Sequence, residues 1–258
     1  MERRTLLAQL VRRDFKQRYI GSAAGWLWGV VHPLVLLASW IFVFQICIKV
    51  KLPGVQNYSV YLFAGMLPWL LFQDTVLRSS VSLLDHSNLI TKTVFPAEVV
   101  PVSIFLSSLI HHLIALVVAV VWAAFALKFV SPMLLLLPVY MVFVGLLGVG
   151  VGWIAASLHV YLRDTAQVLT VIMTLWFWAT PIMIAESQIP ERWHHIPLRP
   201  LIQWNPLSSV VRGYRERMLT SSWPPAHDMI TLAAMSITVF VLGGLFFRHL
   251  KRGFADVL

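Results

Sequence analysis

Two adjacent histidines, His111 and His112, lie inside a long apolar stretch of this 258-residue sequence. Ionisable side chains in such a stretch can serve a proton relay or line a hydrated path, so this pair is the first candidate for chemistry. On a helix, however, adjacent side chains project about 100° apart, and both imidazoles cannot easily face one ligand. A functional pair and an ordinary packing role therefore both remain open.

The familiar motifs of enzymes are missing from the rest of the sequence. It contains no G-x-x-x-x-G-K-[ST] phosphate loop, no H-E-x-x-H zinc motif and a single cysteine, Cys47. Nucleotide hydrolysis and zinc chemistry therefore have no visible site, and we expect no cofactor and no metal. Gly145, Gly148, Gly150 and Gly152 lie within an apolar stretch, where they predict close helix packing and not phosphate binding.

Charged and aromatic residues give two weaker signals. Asp74 and Arg78 are four residues apart, which on a helix predicts an ion pair. Aromatic faces suit sugar rings, although the same residue types form ordinary belts at membrane interfaces. The aromatic residues concerned are Trp26, Trp28, Trp69, Trp176, Phe177 and Trp178.

Membrane helices must position these residues. Hydrophobic residues make up 59% of the sequence, charged residues 12%, and the mean hydropathy is +0.78, whereas soluble domains average about 25% charged residues. Six stretches without Asp, Glu, Lys or Arg are long enough, or nearly so, to cross ~30 Å of hydrocarbon. They are 25–48, 57–73, 102–127, 133–162, 166–185 and 229–247. Their continuous apolar character excludes an outer-membrane barrel. It predicts an all-α membrane protein with six transmembrane helices in one domain, 1–258.

The formal net charge of +9 follows from the same architecture. Basic residues that border spans are typical of the positive-inside rule and of contact with anionic lipid, so we expect no nucleic acid partner. Six basic residues precede the first span. They predict a cytoplasmic N-terminus and, after six spans, a cytoplasmic C-terminus in a multi-pass protein of the inner membrane.

The N-terminal segment 3–20 is predicted to be an amphipathic helix on the cytoplasmic leaflet. At about 100° per residue, apolar side chains fall on one side and basic side chains on the other. The apolar side comprises Leu6, Leu7, Leu10, Val11 and Phe15, and the basic side comprises Arg12, Arg13 and Lys16.

The segment "NLITKTVFPAEVVP", 88–101, lies between the second and third spans. Its charges exclude it from lipid, and the N-in orientation makes it cytoplasmic. Because the residue before a proline is disfavoured in the α region, Phe95-Pro96 and Val100-Pro101 mark breaks. We expect a short helix before Phe95 and then a turn into the third span.

The segment 186–228 is too apolar for a free loop and too rich in proline for a span. Trp and Tyr favour the depth of lipid headgroups, and prolines are tolerated where the backbone is otherwise satisfied. We therefore expect short interfacial or re-entrant helices on the outer face.

Taken in order, five segments resemble one known family. They are "RRDFKQRYIGSAAGWLWGVVHP" (12–33), "FAGMLPWLLF" (63–72), "NLITKTVFPAEVVP" (88–101), "YLRD" (161–164) and "NPLSSVVRGYRERML" (205–219). The sequence is similar, nearly end to end, to the membrane subunits of type-2 ABC exporters for bacterial polysaccharides of the O-antigen, capsule and teichoic-acid type. The resemblance implies a homodimer with two separate ATPase subunits, surrounded by membrane lipid, that moves a lipid-linked polysaccharide outward.

The resemblance also implies roles for individual segments: 3–20 as the interfacial helix, 87–95 as the coupling helix that contacts the ATPase, and the segment after the fifth span as outer gate helices. The expected coupling residues are Leu89, Ile90, Lys92, Phe95, Pro96 and Glu98. The expected outer gate residues are Arg212, Tyr214, Arg215 and Glu216. Our hypothesis for the sugar path comprises Trp26, Trp28, Trp176 and Trp178, because stacking tolerates varied sugars. For Glu98, the sequence leaves open a pair with Lys92 or with a basic residue of the ATPase.

Two other functions stay open. An integral-membrane enzyme acting on polyprenyl-phosphate sugars would use similar surfaces, but it needs an acidic pair or metal triad that the sequence does not display. A type-2 ABC permease for a small molecule or drug would share the fold and differ in the substrate path. The sequence does not distinguish between the classes of polysaccharide.

Overall fold

The apolar stretches form long helices. The structure is a computed structural model that describes residues 3–18, 25–50, 52, 55–92, 95–192, 194–195 and 197–257. Over these residues all regular secondary structure is helical, which confirms the all-α fold. The helices are Arg3–Gln17 (α1), Trp28–Cys47 (α2), Tyr58–Asp85 (α3), Ser87–Lys92 (α4), Val99–Leu127 (α5), Pro132–Tyr161 (α6), Thr165–Ala179 (α7), Leu198–Gln203 (α8), Pro206–Leu219 (α9), Ala226–Gly253 (α10) and Phe254–Val257 (α11).

Within the described residues, five helices are long and apolar enough to cross a membrane, namely α2, α3, α5, α6 and α10. The fifth predicted span, 166–185, is instead the 15-residue helix α7. It ends at Ala179 because Thr180 precedes Pro181 and adopts an extended conformation with φ −102° and ψ 127°. The described residues therefore contain five helices of spanning length where the sequence predicted six spans, and a shorter apolar helix in the remaining place.

Helix α3 is the centre of the bundle. It begins where the side chain of Asn57 accepts hydrogen bonds from the backbone N–H groups of Ser59 and Val60 at 3.1 and 3.3 Å. It continues to Asp85, well beyond the predicted span 57–73. Most of its residues are buried, because α5, α6, α7 and α9 pack around it.

Helices α6 and α10 approach each other backbone to backbone at two glycines. A Cβ atom on Gly243 would overlap the carbonyl oxygen of Gly150, and one on Gly150 would lie 2.7 Å from the carbonyl oxygen of Val239. The other three glycines of the series, Gly145, Gly148 and Gly152, lie against Phe105, Thr75 and Ser79 respectively. The predicted role of the glycine series in helix packing is confirmed.

Replacing Gly243 by alanine is expected to destabilise the protein by about 1–3 kcal/mol, because the added methyl group must push α10 away from α6. Gly244→Ala is the matched control, since a Cβ there would meet only the edge of the Trp153 ring at 3.3 Å. Thermal unfolding of the two detergent-solubilised variants, followed by size-exclusion chromatography, measures the difference. Equal melting temperatures would contradict the prediction.

Helix α1 is fixed to the bundle by ion pairs. Arg18, directly after α1, donates to Asp74 Oδ2 at 2.7 Å and to Ser108 Oγ at 2.8 Å. Arg78 forms an ion pair with Asp14 of α1. The predicted pair between Asp74 and Arg78 is present at 4.0 Å, as one edge of this four-charge network.

The amphipathic pattern of α1 matches its packing. Leu10 is buried, and α1 lies against α5. The basic residues Arg12, Arg13 and Lys16 are exposed. The predicted helix extended to residue 20, whereas α1 ends at Gln17, and residues 19–20 lie outside the described part of the chain.

The two ends of the bundle carry different structures. At one end, the α4 end, α11 packs against α4, and the hydroxyl of Tyr161 donates to the carbonyl oxygen of Leu250 at 2.9 Å. At the other, the α9 end, the hydroxyl of Tyr58 donates to the carbonyl oxygen of Met183 at 2.7 Å. The predicted coupling and gate residues therefore lie at opposite ends of the bundle.

Candidate functional site

The predicted coupling residues follow α3 in a short helix and a turn. The carbonyl oxygen of His86 accepts hydrogen bonds from the N–H groups of Leu89 and Ile90 at 2.9 and 3.1 Å, which starts α4. The carbonyl oxygen of Pro96 accepts one from the N–H of Val99 at 2.9 Å, which forms a tight turn into α5. The expected order of helix, turn and span is therefore present.

The end of this helix differs from the prediction. Helix α4 is described as far as Lys92, and Phe95, the predicted last residue, is not helical. Residues 93–94 and the side chain of Lys92 lie outside the described part of the chain. The expected contact between Lys92 and an ATPase stays a prediction.

An apolar cluster, here called the α4-end cluster, holds the coupling segment. Its members are Leu83, Ala97, Val100, Ile104, Val149, Trp153, Ala156, Val160, Phe247 and Phe254. Ile90 and Phe95 pack against this cluster, and Pro96 is partly exposed. Leu89, also partly exposed, is outside the described members of the cluster. Of the two apolar residues predicted on α4, the structure therefore places Ile90 inward.

Glu98 pairs with the C-terminal segment. Its carboxylate accepts from Lys251 Nζ at 2.6 Å, and its backbone carbonyl accepts from the indole N–H of Trp153 at 3.0 Å. The sequence offered Lys92 or a basic residue of a partner for Glu98. The structure adds a third partner, Lys251, which is 153 residues away along the chain, and no local sequence signal indicates this pair.

Asn205 joins α7 to α9. Its side-chain oxygen accepts from the N–H of Leu207 and from the indole N–H of Trp176, both at 3.1 Å, and its amide donates to Thr180 Oγ1 at 2.9 Å. Sequence reasoning missed this residue, although an asparagine directly before Pro206 is a typical helix start.

Arg215 is buried, with 6% of its surface exposed. Its guanidinium donates to the carbonyl oxygens of Tyr61 at 3.2 Å, Pro181 at 2.6 Å and Ile182, and it lies 3.7 Å from the centre of the Tyr61 ring. Burial lowers the pKa of Arg215 to about 10, which leaves it protonated at neutral pH. Arg215 therefore clamps the start of α3 to the turn after α7.

Tyr214 is also buried and lies against His112. The tyrosine hydroxyl is 3.0 Å from His112 Nε2, and the two rings meet edge to face. His111 instead has its Nδ1 3.1 Å from the carbonyl oxygen of Ser107, and its ring is 5.1 Å from that of Phe15. The two histidines thus have different partners.

The remaining predicted gate residues are on the partly exposed side of α9. Arg212 lies 3.5 Å from a carboxylate oxygen of Glu186 and 3.7 Å from one of Asp228. Glu216 accepts from Arg217 at 2.6 Å. Of the four predicted gate residues, Tyr214 and Arg215 are therefore in the core, and Arg212 and Glu216 take part in ion pairs near the surface.

The predicted path tryptophans lie on α2 and α7 and just before α2. Trp28 and Trp178 are 52% and 68% exposed, whereas Trp176 is partly buried against Phe72. The side chain of Trp26 lies outside the described part of the chain. Among the described ring contacts within the chain, none joins Trp28 to the tryptophans of α7.

Comparison with known protein families gives one match that covers most of the chain. Residues 5–219 match the family model of the ABC-2 type transporter.

Curated relatives match over nearly their full length. An O-antigen export system permease protein RfbA from Klebsiella pneumoniae is 30% identical over 255 residues, 98% of this chain and 95% of the relative. An RfbA from Myxococcus xanthus is 27% identical over 253 residues, with the same coverage. The polysialic acid transport protein KpsM of Escherichia coli is 22% identical over 241 residues, 93% of this chain and 91% of the relative.

Proposed function

The chain belongs to the ABC-2 type transporter family, and from this we propose that it is the permease subunit of an ATP-driven exporter. Its proposed cargo is a lipid-linked polysaccharide that moves outward across the cytoplasmic membrane. The observation that carries the proposal is the similarity over 98% of the chain to permeases named for O-antigen export. The five long apolar helices and the shorter α7 fit a membrane subunit of this kind.

ATP hydrolysis in this proposal belongs to a separate subunit. The sequence contains no phosphate loop, and the α4 end presents a short helix that is anchored to α5 by the Pro96 turn. Two copies of the permease form a homodimer with two ATPase subunits, because a single bundle of this size offers little room for a sugar chain.

The α4 end is the cytoplasmic end in this proposal. Helices α4 and α11 lie there together, and Lys251 just before α11 pairs with Glu98, whereas α1 with its exposed arginines lies against α5 and pairs with Arg78 in the half of α3 that leads to α4. Basic residues are retained on the cytoplasmic side of a membrane, so both chain ends are cytoplasmic and α9 is on the outer side.

The test of the function is deletion of the gene in its source organism. We expect the surface polysaccharide to disappear and the lipid-linked polymer to accumulate inside the cell, with both defects reversed by a plasmid copy. Unchanged surface polysaccharide would contradict the proposed cargo. ATP turnover by a purified preparation proven free of ATPase subunits would contradict the assignment as a permease subunit.

The exposed tryptophans of α2 and α7 are proposed to belong to the sugar path, together with Trp26 and Trp176. Replacing all four by alanine is expected to lower export several-fold, since each indole face that stacks on a sugar is lost. Trp223→Ala is the matched control, because Trp223 is 73% exposed and outside the proposed path. The measurement is the amount of surface polysaccharide per permease molecule. Unaltered export in the fourfold variant would contradict the sugar-path role and would assign these residues to an ordinary interfacial belt.

The ion pair between Glu98 and Lys251 is proposed to make the coupling turn move together with α10. Reversing one charge, in Glu98→Lys or Lys251→Glu, places like charges together, and we expect export to fall several-fold while the ATPase still copurifies. The double reversal should restore export, because it restores the pair. Arg252→Glu, an exposed neighbour, should leave export normal. A double variant as defective as the single variants would contradict this role.

A further inference from the structure

A cavity of about 420 Å³ lies between α2, α3 and α5, next to the end of α1. This lateral cavity falls within the size range of small-molecule sites, about 300–1,000 Å³. It reaches the outside of the chain along α2, where Trp28 and His32 line it and are exposed. The described lining residues include no member of the coupling segment or of α9, and share only Trp28, at the mouth of the cavity, with the proposed sugar path.

One end of the lateral cavity is polar and carries both signs of charge. Arg18 and Asp74 line it side by side, with their charged atoms 2.7 Å apart and their side chains 19% and 36% exposed. Ser108 bridges them, since its hydroxyl donates to Asp74 at 2.6 Å and accepts from Arg18 at 2.8 Å. The His111 ring lies at the same end.

The rest of the lateral cavity is apolar. On α3 its lining runs from Asp74 back through Leu67 to Phe63, a distance of about 16 Å at the rise of a helix. Pro33 and Leu36 of α2 line the facing side. Water in this part would hydrate apolar side chains, whereas a hydrocarbon chain would cover them. The shape and polarity therefore match a molecule with a small polar head and one long apolar chain.

We propose that the lateral cavity binds one membrane phospholipid with a zwitterionic headgroup of the phosphatidylethanolamine type. Its phosphate faces Arg18 and His111, its ammonium faces Asp74, and one acyl chain lies along Leu67 and Phe63. An anionic lipid fits less well, because its phosphate could face Arg18 equally well but its headgroup has no ammonium group to face Asp74. This inference does not depend on the proposed cargo or on the ATPase.

The first test uses the unaltered protein. The chain is reconstituted in nanodiscs with equal amounts of phosphatidylethanolamine and phosphatidylglycerol of matched acyl chains, released into the gas phase, and weighed by native mass spectrometry. We expect one retained lipid per chain, with phosphatidylethanolamine several-fold in excess. Retention of the two lipids in the proportions of the bilayer would overturn the proposal. Retention of no lipid at all would also overturn the proposal, and it would favour a second copy of the chain as the molecule that covers the cavity.

Two variants locate the lipid. Ala115→Phe places a ring into the cavity and should abolish the retained lipid. Ala126→Phe is the matched control, because Ala126 is on the same helix, equally partly buried against the core and outside the described lining. Asp74→Asn should remove the preference for phosphatidylethanolamine by several-fold. If the Ala115→Phe protein retains as much lipid as the Ala126→Phe control, the lipid does not bind in the lateral cavity.

A third measurement separates a bilayer lipid from the lipid end of a cargo. Polyprenyl phosphate is added to the nanodiscs in an amount equal to phosphatidylethanolamine. We expect phosphatidylethanolamine to remain the retained lipid. Its displacement by polyprenyl phosphate would overturn the assignment to a bilayer phospholipid.

Discussion

Replacing Arg215 by methionine is expected to remove most of the folded protein from a membrane extract. The methionine side chain is apolar and of similar length, so it fills the space but donates no hydrogen bond. Three backbone carbonyls, those of Tyr61, Pro181 and Ile182, then lose their donor in a buried place. Each buried group left unpaired costs about 1–3 kcal/mol, and the total stability of a domain is only about 5–15 kcal/mol.

The matched control for Arg215→Met is Arg212→Met on the same helix. Arg212 is 29% exposed and its carboxylate partners are 3.5 and 3.7 Å away, so its loss leaves groups that water can reach. Partly exposed ion pairs contribute about 0–1 kcal/mol. The yield of monodisperse protein and its melting temperature, from size-exclusion chromatography after heating, measure both variants. An Arg215→Met protein as stable as Arg212→Met would show that Arg215 is not the clamp.

The second large effect is expected at Leu89. Changing Leu89 to aspartate should release the proposed ATPase subunit from the purified complex almost completely, because a charge cannot enter the apolar cleft that we expect on that subunit without losing its water. The structure favours a change at Leu89 alone and not at Ile90. Ile90 packs against the α4-end cluster, so an aspartate there would also disturb the fold of the permease itself.

Thr91→Asp is the matched control for Leu89→Asp. Thr91 is exposed on the same helix, two residues away and therefore about 200° around it. The Thr91→Asp permease should copurify with the ATPase in normal amount. The ratio of ATPase to permease after affinity purification through the permease is the measurement, with the melting temperature of the permease as a check of folding. Normal copurification of the Leu89→Asp protein would contradict the coupling role of α4.

The residues predicted for the sugar path and those predicted for the outer gate differ in burial. Trp28 and Trp178 are exposed on helices at the outside of the chain, where a second copy or a sugar can reach them. Tyr214 and Arg215 instead occupy the core of one chain. Their sequence context, a proline start followed by several charges, is that of a surface helix. The sequence of α9 does not indicate that the surrounding helices bury one side of it.

The sequence by itself determined the membrane class, the all-α fold, the place of most helices and the nature of the segment 88–101. These features follow from local rules, since charges and prolines interrupt apolar stretches and a helix of given length spans a given thickness. The turn at Pro96 and the early end of α7 at Pro181 show the same local control.

Only the tertiary structure decided which residues meet. The pairs Glu98–Lys251, Arg18–Asp74 and His112–Tyr214 join residues 56 to 153 positions apart. Lipid tails are as apolar as a protein core, so a membrane helix shows little contrast between its buried and its lipid-facing side. Without that contrast the sequence does not say which face of each helix turns inward, and the partners of its few polar groups are determined by the packing of the whole bundle.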